Sequence, residues 1–403
     1  MAYYSIFPEK DTTLYSHPDR INMNTGRDEI LELVEEKATT GNTYYTSRIL
    51  IKFNNEEIKD VFQNKLPGTT STPYHLAGDA ATGYPRVMLN LYAGENKSLT
   101  QGHIIEAYPL SESMGWEEGT ERYTATPPSV TTGSRQSANG ATWVYRNEST
   151  GSAWPVGISS PFNSGATGSY TTSPGGGVWY TGPDFRAEHS FYADDDLDIN
   201  MDVTNIMTKI SRSLFQSTTY PSGITNNGFI IKKPRATEED GFGFGELQYF
   251  SSNTHTIYPP KLTFKWDDSS YITSSGATVL NEGDIFLSLH NNKGKFQRKS
   301  KQRFRLTTRK RYPDRTFTTS SNYLETSYLP STSYYSVRDA ETDEVIIPFD
   351  TSYTKMSADS DGMYFDLWME GFQPERYYKL MFRVDNNDGI NIHDEDYFFK
   401  IVR

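Results

Sequence analysis

Two groups of side chains in this sequence have types and spacing that could support chemistry. The first is the carboxylate cluster Asp194, Asp195, Asp196 and Asp198. Closely spaced carboxylates supply the hard oxygen donors that Ca²⁺ takes, so these four are the candidate ligands of a structural calcium. The alternative is a solvated acidic loop. A second acidic stretch, DNNDG at 385–389, has its glycine at position five, whereas a calcium loop of the EF-hand type needs it at six. Asn, Asp and Gly in that order predict a hairpin turn instead.

The second group is basic. Lys293, Lys295, Arg298, Lys299, Lys301, Arg303, Arg305, Arg309, Lys310, Arg311 and Arg315 fall within 23 residues and share them with one acid, Asp314. The whole chain carries a net charge of −12. With those 11 cations and one acid set aside, the remaining 28 cations face 50 carboxylates, a net of −22. The first ten of these cations are the candidate partner-binding residues. Arg303, Phe304, Arg305 and Leu306 alternate charge with apolar bulk, as a strand with one wet basic face would. Three readings stand: a charged strand edge that prevents aggregation, docking against an acidic patch on a neighbour such as a second copy, or DNA contact. The acidic surroundings disfavour nucleic acid, because they repel phosphates.

Other chemistry is absent or unplaced. There are no cysteines, which excludes disulfides, thiolate metal sites and a cysteine nucleophile. The seven histidines are dispersed, with no HxH or HExxH spacing. Neither a GxSxG elbow nor a phosphate-binding loop occurs. The GFGFG run at 241–245 precedes a strand-like ELQYF, so it predicts the glycine-rich start of a strand, not a phosphate cradle. No catalytic residue is assigned, no cofactor beyond the structural calcium is implied, and the chain is expected not to be an enzyme.

The elements that must position these groups are strands. The composition is 35% hydrophobic and 14% aromatic, with 28 Tyr and 22 Phe, and 30 Gly and 20 Pro to interrupt it. Ile49, Ile51 and Phe53 share one face of a strand while Arg48 and Lys52 take the other. The same alternation recurs at Val87, Leu89 and Leu91, at Leu262, Phe264 and Trp266, at Ile285, Leu287 and Leu289, and at Tyr378, Leu380, Phe382 and Val384. Such spacing is the habit of antiparallel sandwiches. Helix is sparse: Thr204 is the expected cap of a segment carrying Ile206, Met207, Ile210 and Leu214. Residues 28–37 fit helix and strand equally. Between about 124 and 185 the chain is rich in Ser, Gly, Thr and Pro, yet Trp143, Tyr145, Trp154, Phe162, Tyr170, Trp179 and Tyr180 punctuate it. These rings predict ordered excursions packed on the chain itself or a neighbour, or platforms for sugars. A chain of 403 residues exceeds one hydrophobic core. A polar run near 267–280 divides it into 1–268, a linker at 269–279, and 280–403.

Several short pieces, in order, resemble the DNRLRE-type (disaggregatase-related) β-sandwich modules. They are DTTLYS at 11–16, SRILIKF at 47–53, WEE at 116–118, ATWVYR at 141–146 with Trp154 after it, MDVT at 201–204, NGFIIK at 227–232 and YPPKL at 258–262. The basic and acidic pair that helps to name the family is not evident after 250–252, and the loops are longer than its usual ones. The whole chain, including SYYSVRD at 333–339 and GMYFD at 362–366, looks like virion structural proteins of contractile-tailed phages of cyanobacteria. Its last part is similar to the small immunoglobulin-like β-domains that such virions carry.

The resemblance implies an all-β chain: a jelly-roll-like antiparallel sandwich followed by a smaller immunoglobulin-like β-domain. It also implies a particle component, bound to other virion proteins and to copies of itself in a symmetric assembly, at the neck, collar or tail in preference to the capsid surface. A carbohydrate-binding module or adhesin for host glycans is the alternative. The start of the sequence has neither a basic nor an apolar signal region and no window spans a membrane, so synthesis in the host cytoplasm without membrane association is expected.

Overall fold

The computed structural model describes residues 2–37, 44–66, 85–97, 99, 102–123, 139–155, 162–164, 175–215, 223–238, 240, 242–273, 276–313 and 326–403. The chain is all-β and built from antiparallel sandwich sheets. It forms two compact units, one within Ile6–Ala77 and Arg86–Thr263, the other within Met1–Ser5 and Phe264–Arg403. No helix among the described residues is long and apolar enough to cross a membrane.

The first unit has nine principal strands. They are β1 (Pro8–Tyr15), β2 (Ile30–Lys37), β3 (Tyr44–Phe53), β4 (Arg86–Leu91), β5 (Gly102–Pro109), β6 (Ala187–Tyr192), β7 (Ile199–Asp202), β8 (Phe229–Lys232) and β9 (Glu246–Phe250). One sheet runs β6-β5-β8-β3-β2-β9, with β1 also paired to β3. Neighbours such as β3 and β8 are far apart in sequence, so the sheet is joined by crossover connections and not by hairpins alone. β4 and β7 pair in another sheet, Leu89 opposite Met201. The alternation read in β3 holds: Ile49, Ile51 and Phe53 are all buried, paired in register with Ile231 and Phe229. On its other face Arg48 and Leu50 are buried too, a point developed below.

Residues 28–37 resolve as strand β2. Leu31 and Leu33 are buried, and their neighbours across β9 are Tyr249 and Leu247. Pairing with a remote strand settles what local propensity leaves balanced. The helix near 204 forms as α2 (Thr204–Leu214), following α1 (Asn55–Asp60), and buries Ile206, Met207 and Ile210. The expected cap is corrected. Thr204 is the first helical residue, its N–H donates to the Asp202 carboxylate at 2.9 Å, and its own hydroxyl accepts from the Val87 N–H at 3.0 Å. Gly245, with φ +98°, opens β9 as expected of a glycine-rich start, and Phe244 beside it is buried; Gly241 lies outside the described residues.

The second unit has β10 (Ile285–His290), β11 (Lys295–Gln297), β12 (Lys301–Lys310), β13 (Ser333–Asp339), β14 (Val345–Ile347), β15 (Ser357–Asp359), β16 (Gly362–Trp368), β17 (Tyr377–Asn386) and β18 (Gly389–Val402). In one sheet β12 is central, with β10 and β16 both paired to it and β15 beyond β16. The other runs β11-β18-β17-β13-β14. Aromatic rings fill the space between. Phe304 and Phe365 stack at 5.2 Å, Tyr335 lies on Phe365 at 4.6 Å, and Phe382 and Phe399 close the group at 5.9 Å from Phe365 and Phe304. Such pairs add about 0.5–1.5 kcal/mol each beyond simple burial. The DNNDG stretch is the hairpin turn between β17 and β18, with Asn386 opposite Gly389 and φ +124° at that glycine.

Candidate functional site

The basic strip divides into two parts with different surroundings. β12 has the expected alternation, with Phe304 and Leu306 buried and Arg303 exposed. As a central strand, it cannot be the charged edge that one reading required. The cations of its first half are already matched. Arg303 makes two bonds to Asp366 at 2.8 and 3.1 Å, and Lys301 reaches the same carboxylate at 3.1 Å. Arg305 is bidentate to Asp359 at 2.9 and 2.8 Å. The Tyr364 ring lies 4.1 Å from the Arg303 guanidinium and 5.5 Å from that of Arg305. Burial opposes ionisation of Asp366, yet its bonds to Arg303 and Lys301 hold the carboxyl below its ordinary value.

The rest of the strip lies on or beside β11 or at the far end of β12. Lys293, Lys295, Arg298 and Lys299 flank or belong to β11, the edge strand of the other sheet, and all are exposed. Among the described residues no carboxylate pairs with any of the four. Arg309 stacks on Phe286 at 4.4 Å, and Lys310 and Arg311 are exposed; Arg315 lies outside the described residues.

The acidic cluster shapes a loop. Asp195 accepts the Tyr192 N–H at 2.9 Å, Asp196 accepts the Asp198 N–H at 3.1 Å, and Asp198 accepts the Ala93 N–H at 2.7 Å. Asp194 is exposed. Among the described residues no group of three or more His, Asp or Glu side chains is arranged to hold a metal ion.

The aromatic excursion packs on its own sheet. Trp116, Trp143, Trp154 and Trp179 are buried together with Leu14, Leu50 and Ile230, on the face of β3 and β8 that bears Leu50. Their polar ends are satisfied: the Trp154 indole donates to the Thr142 carbonyl at 3.0 Å and that of Trp116 to the Asn227 carbonyl at 2.9 Å. These four rings therefore offer no platform to a sugar. Tyr170 and the Phe162 side chain lie outside the described residues.

Beneath that cover sits a charged group that the strand pattern did not reveal. Arg48 is clasped between Trp143 and Trp179, at 4.8 and 5.2 Å, and makes two bonds to Glu238 at 2.9 and 2.8 Å. Lys232 reaches the same carboxylate at 3.0 Å. All three side chains are at most 4% exposed. Burial alone would neutralise Glu238, but the Arg48 and Lys232 charges hold its carboxyl below the ordinary value. Alongside, burial lowers the Lys233 ammonium to about 7, and its Nζ lies 2.7 Å from His103 Nδ1. Burial, followed by the Asp240 and Glu238 charges, raises Glu35 to about 8. These shifts come from packing on a sheet face. The only local signal in the sequence was the pair Lys232 and Lys233 directly after an apolar strand.

An open cleft of about 480 Å³ lies at one end of β17 and β18. Asp339, Glu341, Glu375 and Arg376 line it, with the rings of Tyr377 and Phe398. Arg376 bonds the buried Asp339 at 2.9 Å, and Glu375 pairs with Lys400 at 2.8 Å. Tyr377 is 53% exposed and Phe398 41%.

No protein-family model matches the chain, and no curated protein matches it. Among solved structures, a DUF4785 family protein from Legionella pneumophila subsp. pneumophila str. Philadelphia 1 is similar at 8% identity and a TM-score of 0.18, over 100% of this chain and 68% of that one.

Proposed function

We propose that this chain is a non-enzymatic structural protein of a tailed-phage particle that joins neighbouring particle proteins, at the neck, collar or tail in preference to the capsid surface. The observation that carries the assembly part is the edge strand β11. Its four cations have no carboxylate partner among the described residues, while Lys301, Arg303 and Arg305 of β12 in the same strip are paired to carboxylates. Unmatched charge on a strand edge favours a partner of opposite charge, and the excess of acid over the rest of the sequence favours protein over nucleic acid. The phage setting rests on the family resemblance. Gold-labelled antibody against the chain, applied to intact and mildly disrupted particles in the electron microscope, tests it. Label gathered at one location supports the reading, and particles unlabelled in both states overturn it.

A second reading, binding of host glycans, draws on the cleft beside Tyr377 and Phe398, where exposed rings adjoin carboxylates and a guanidinium. A glycan array that gives signal with the natural chain and loses it with Tyr377→Ala would favour this reading.

A further inference from the structure

Strand β18 is 14 residues long, yet its two sides are treated differently. On one side β17 pairs with it from Gly389 to Lys400. On the other, β11 covers only Lys400, Ile401 and Val402, running parallel to them. No described strand lies beside Gly389–His393 on that side. The result is an unpaired notch along that edge, next to the short strand that covers its end.

Exposed edges are ordinarily guarded by charge or proline. Here the notch carries Ile390 and Ile392, 63% and 58% exposed. At its inner end the strand bulges: the register shifts between Leu380 and Phe382, and Asp396 takes φ +55°. That bulge presents Asp394, Glu395 and Asp396. Lys379 pairs with Asp394 at 2.6 Å and with Asp396 at 3.3 Å, whereas no cation pairs with Glu395 among the described residues. The notch thus carries apolar and acidic side chains, with Arg311 the cation acting on His393 at its inner end, and the adjacent β11 is basic.

We propose that this edge is self-complementary and that two copies of the chain dock through it, each laying β11 in the notch of the other. A half-turn about an axis normal to the sheet exchanges the two features, so both contacts form at once, as a two-fold interface requires. β11 runs parallel to its own β18, so after the half-turn it runs antiparallel to the partner copy's β18 and can complete the ladder along Gly389–His393. Lys293 and Lys295 then approach the bulge that carries Glu395. The pairing deepens the assembly reading by naming one partner, and rests on that reading only for its setting in a particle.

Sedimentation velocity of the full chain between about 1 and 100 μM tests the pairing, since an interface this small gives micromolar affinity. The expected result is a monomer–dimer equilibrium that weakens with salt. Lys295→Glu and Glu395→Lys each weaken it about tenfold or more, and an equimolar mixture of the two variants restores it, because both swapped contacts then match. Ile392→Asp, at an exposed position, is a third variant that also abolishes the dimer. Circular dichroism and thermal unfolding establish that each variant folds. A natural chain that stays monomeric throughout the range, or a dimer indifferent to all three substitutions, overturns the proposal. Monomers in solution with labelled particles would refute only the pairing. Dimers with unlabelled particles would refute only the phage setting.

Discussion

Removing the Glu238 carboxylate by Glu238→Ala strands two buried cations at once. Arg48 loses both of its charge-assisted bonds and Lys232 loses its counter-ion, with side chains only 4% and 2% exposed. Breaking one buried pair costs about 3–5 kcal/mol, and two stranded charges place this substitution toward the upper end. Arg48 retains the Trp143 and Trp179 rings and its bond to the Gly176 carbonyl at 2.7 Å, which moderates the loss without cancelling it. Urea unfolding followed by tryptophan fluorescence reports the first unit directly, because two of the emitting rings flank Arg48. At a slope of about 3 kcal/mol per molar, a loss of about 4–5 kcal/mol lowers the midpoint by about 1.3–1.7 M. Glu238→Gln keeps the shape and one acceptor and loses less. The pH dependence follows from the same geometry. The folded carboxyl lies below its unfolded value, so its contribution is present above the unfolded value near 4.5 and is lost as pH falls through the folded one. A loss below about 1 kcal/mol for Glu238→Ala would refute the reasoning, because it would mean that both cations were already compensated from elsewhere.

Glu35→Gln tests the opposite sign. The folded carboxyl is raised to about 8 from 4.5, so the natural chain loses stability as pH rises from about 4.5 to 8. Thermal unfolding of the variant should show a flatter profile over that window and a higher midpoint at pH 9 than the natural chain. Gly176→Ala should destabilise the same unit by about 1–3 kcal/mol in urea. Its φ is +77°, and a methyl group there would sit 2.6 Å from the Trp143 ring and 2.7 Å from Arg48 Nη1. Asp366→Ala frees Lys301 and Arg303 on a wet face and should cost about 1 kcal/mol, a difference that shrinks in high salt when followed by thermal unfolding.

The strand alternations at Ile49, Val87 and Tyr378, the hairpin at Asn386 and Gly389, and the wet and dry faces of β12 were all legible in the sequence. Each depends on neighbours within a few residues. The status of residues 28–37 was not, because β9 supplies the partner strand some two hundred positions later. The cap of α2 was misplaced by one position: Val203 is the N-cap and makes no side-chain cap bond, while the Asp202 carboxylate before it accepts the Thr204 N–H, and only the path of the chain selects that arrangement. The basic strip was visible as one feature, but the turn after β11 sends its first part to an edge and its second to the centre of another sheet.

The sequence by itself determined that the chain is all-β, where its strands alternate, and that one basic run interrupts an otherwise acidic chain. A period of two follows from the backbone alone and names two faces for every strand. Only the tertiary structure decided which faces meet water. Arg48 and Arg303 look alike in sequence, each a cation opposite an apolar neighbour. Arg48 is buried under tryptophans and paired across 190 residues to Glu238, whereas Arg303 stays exposed against Asp366 on the adjacent strand. Burial of a charge depends on what remote segment covers it, and local spacing carries no record of that segment.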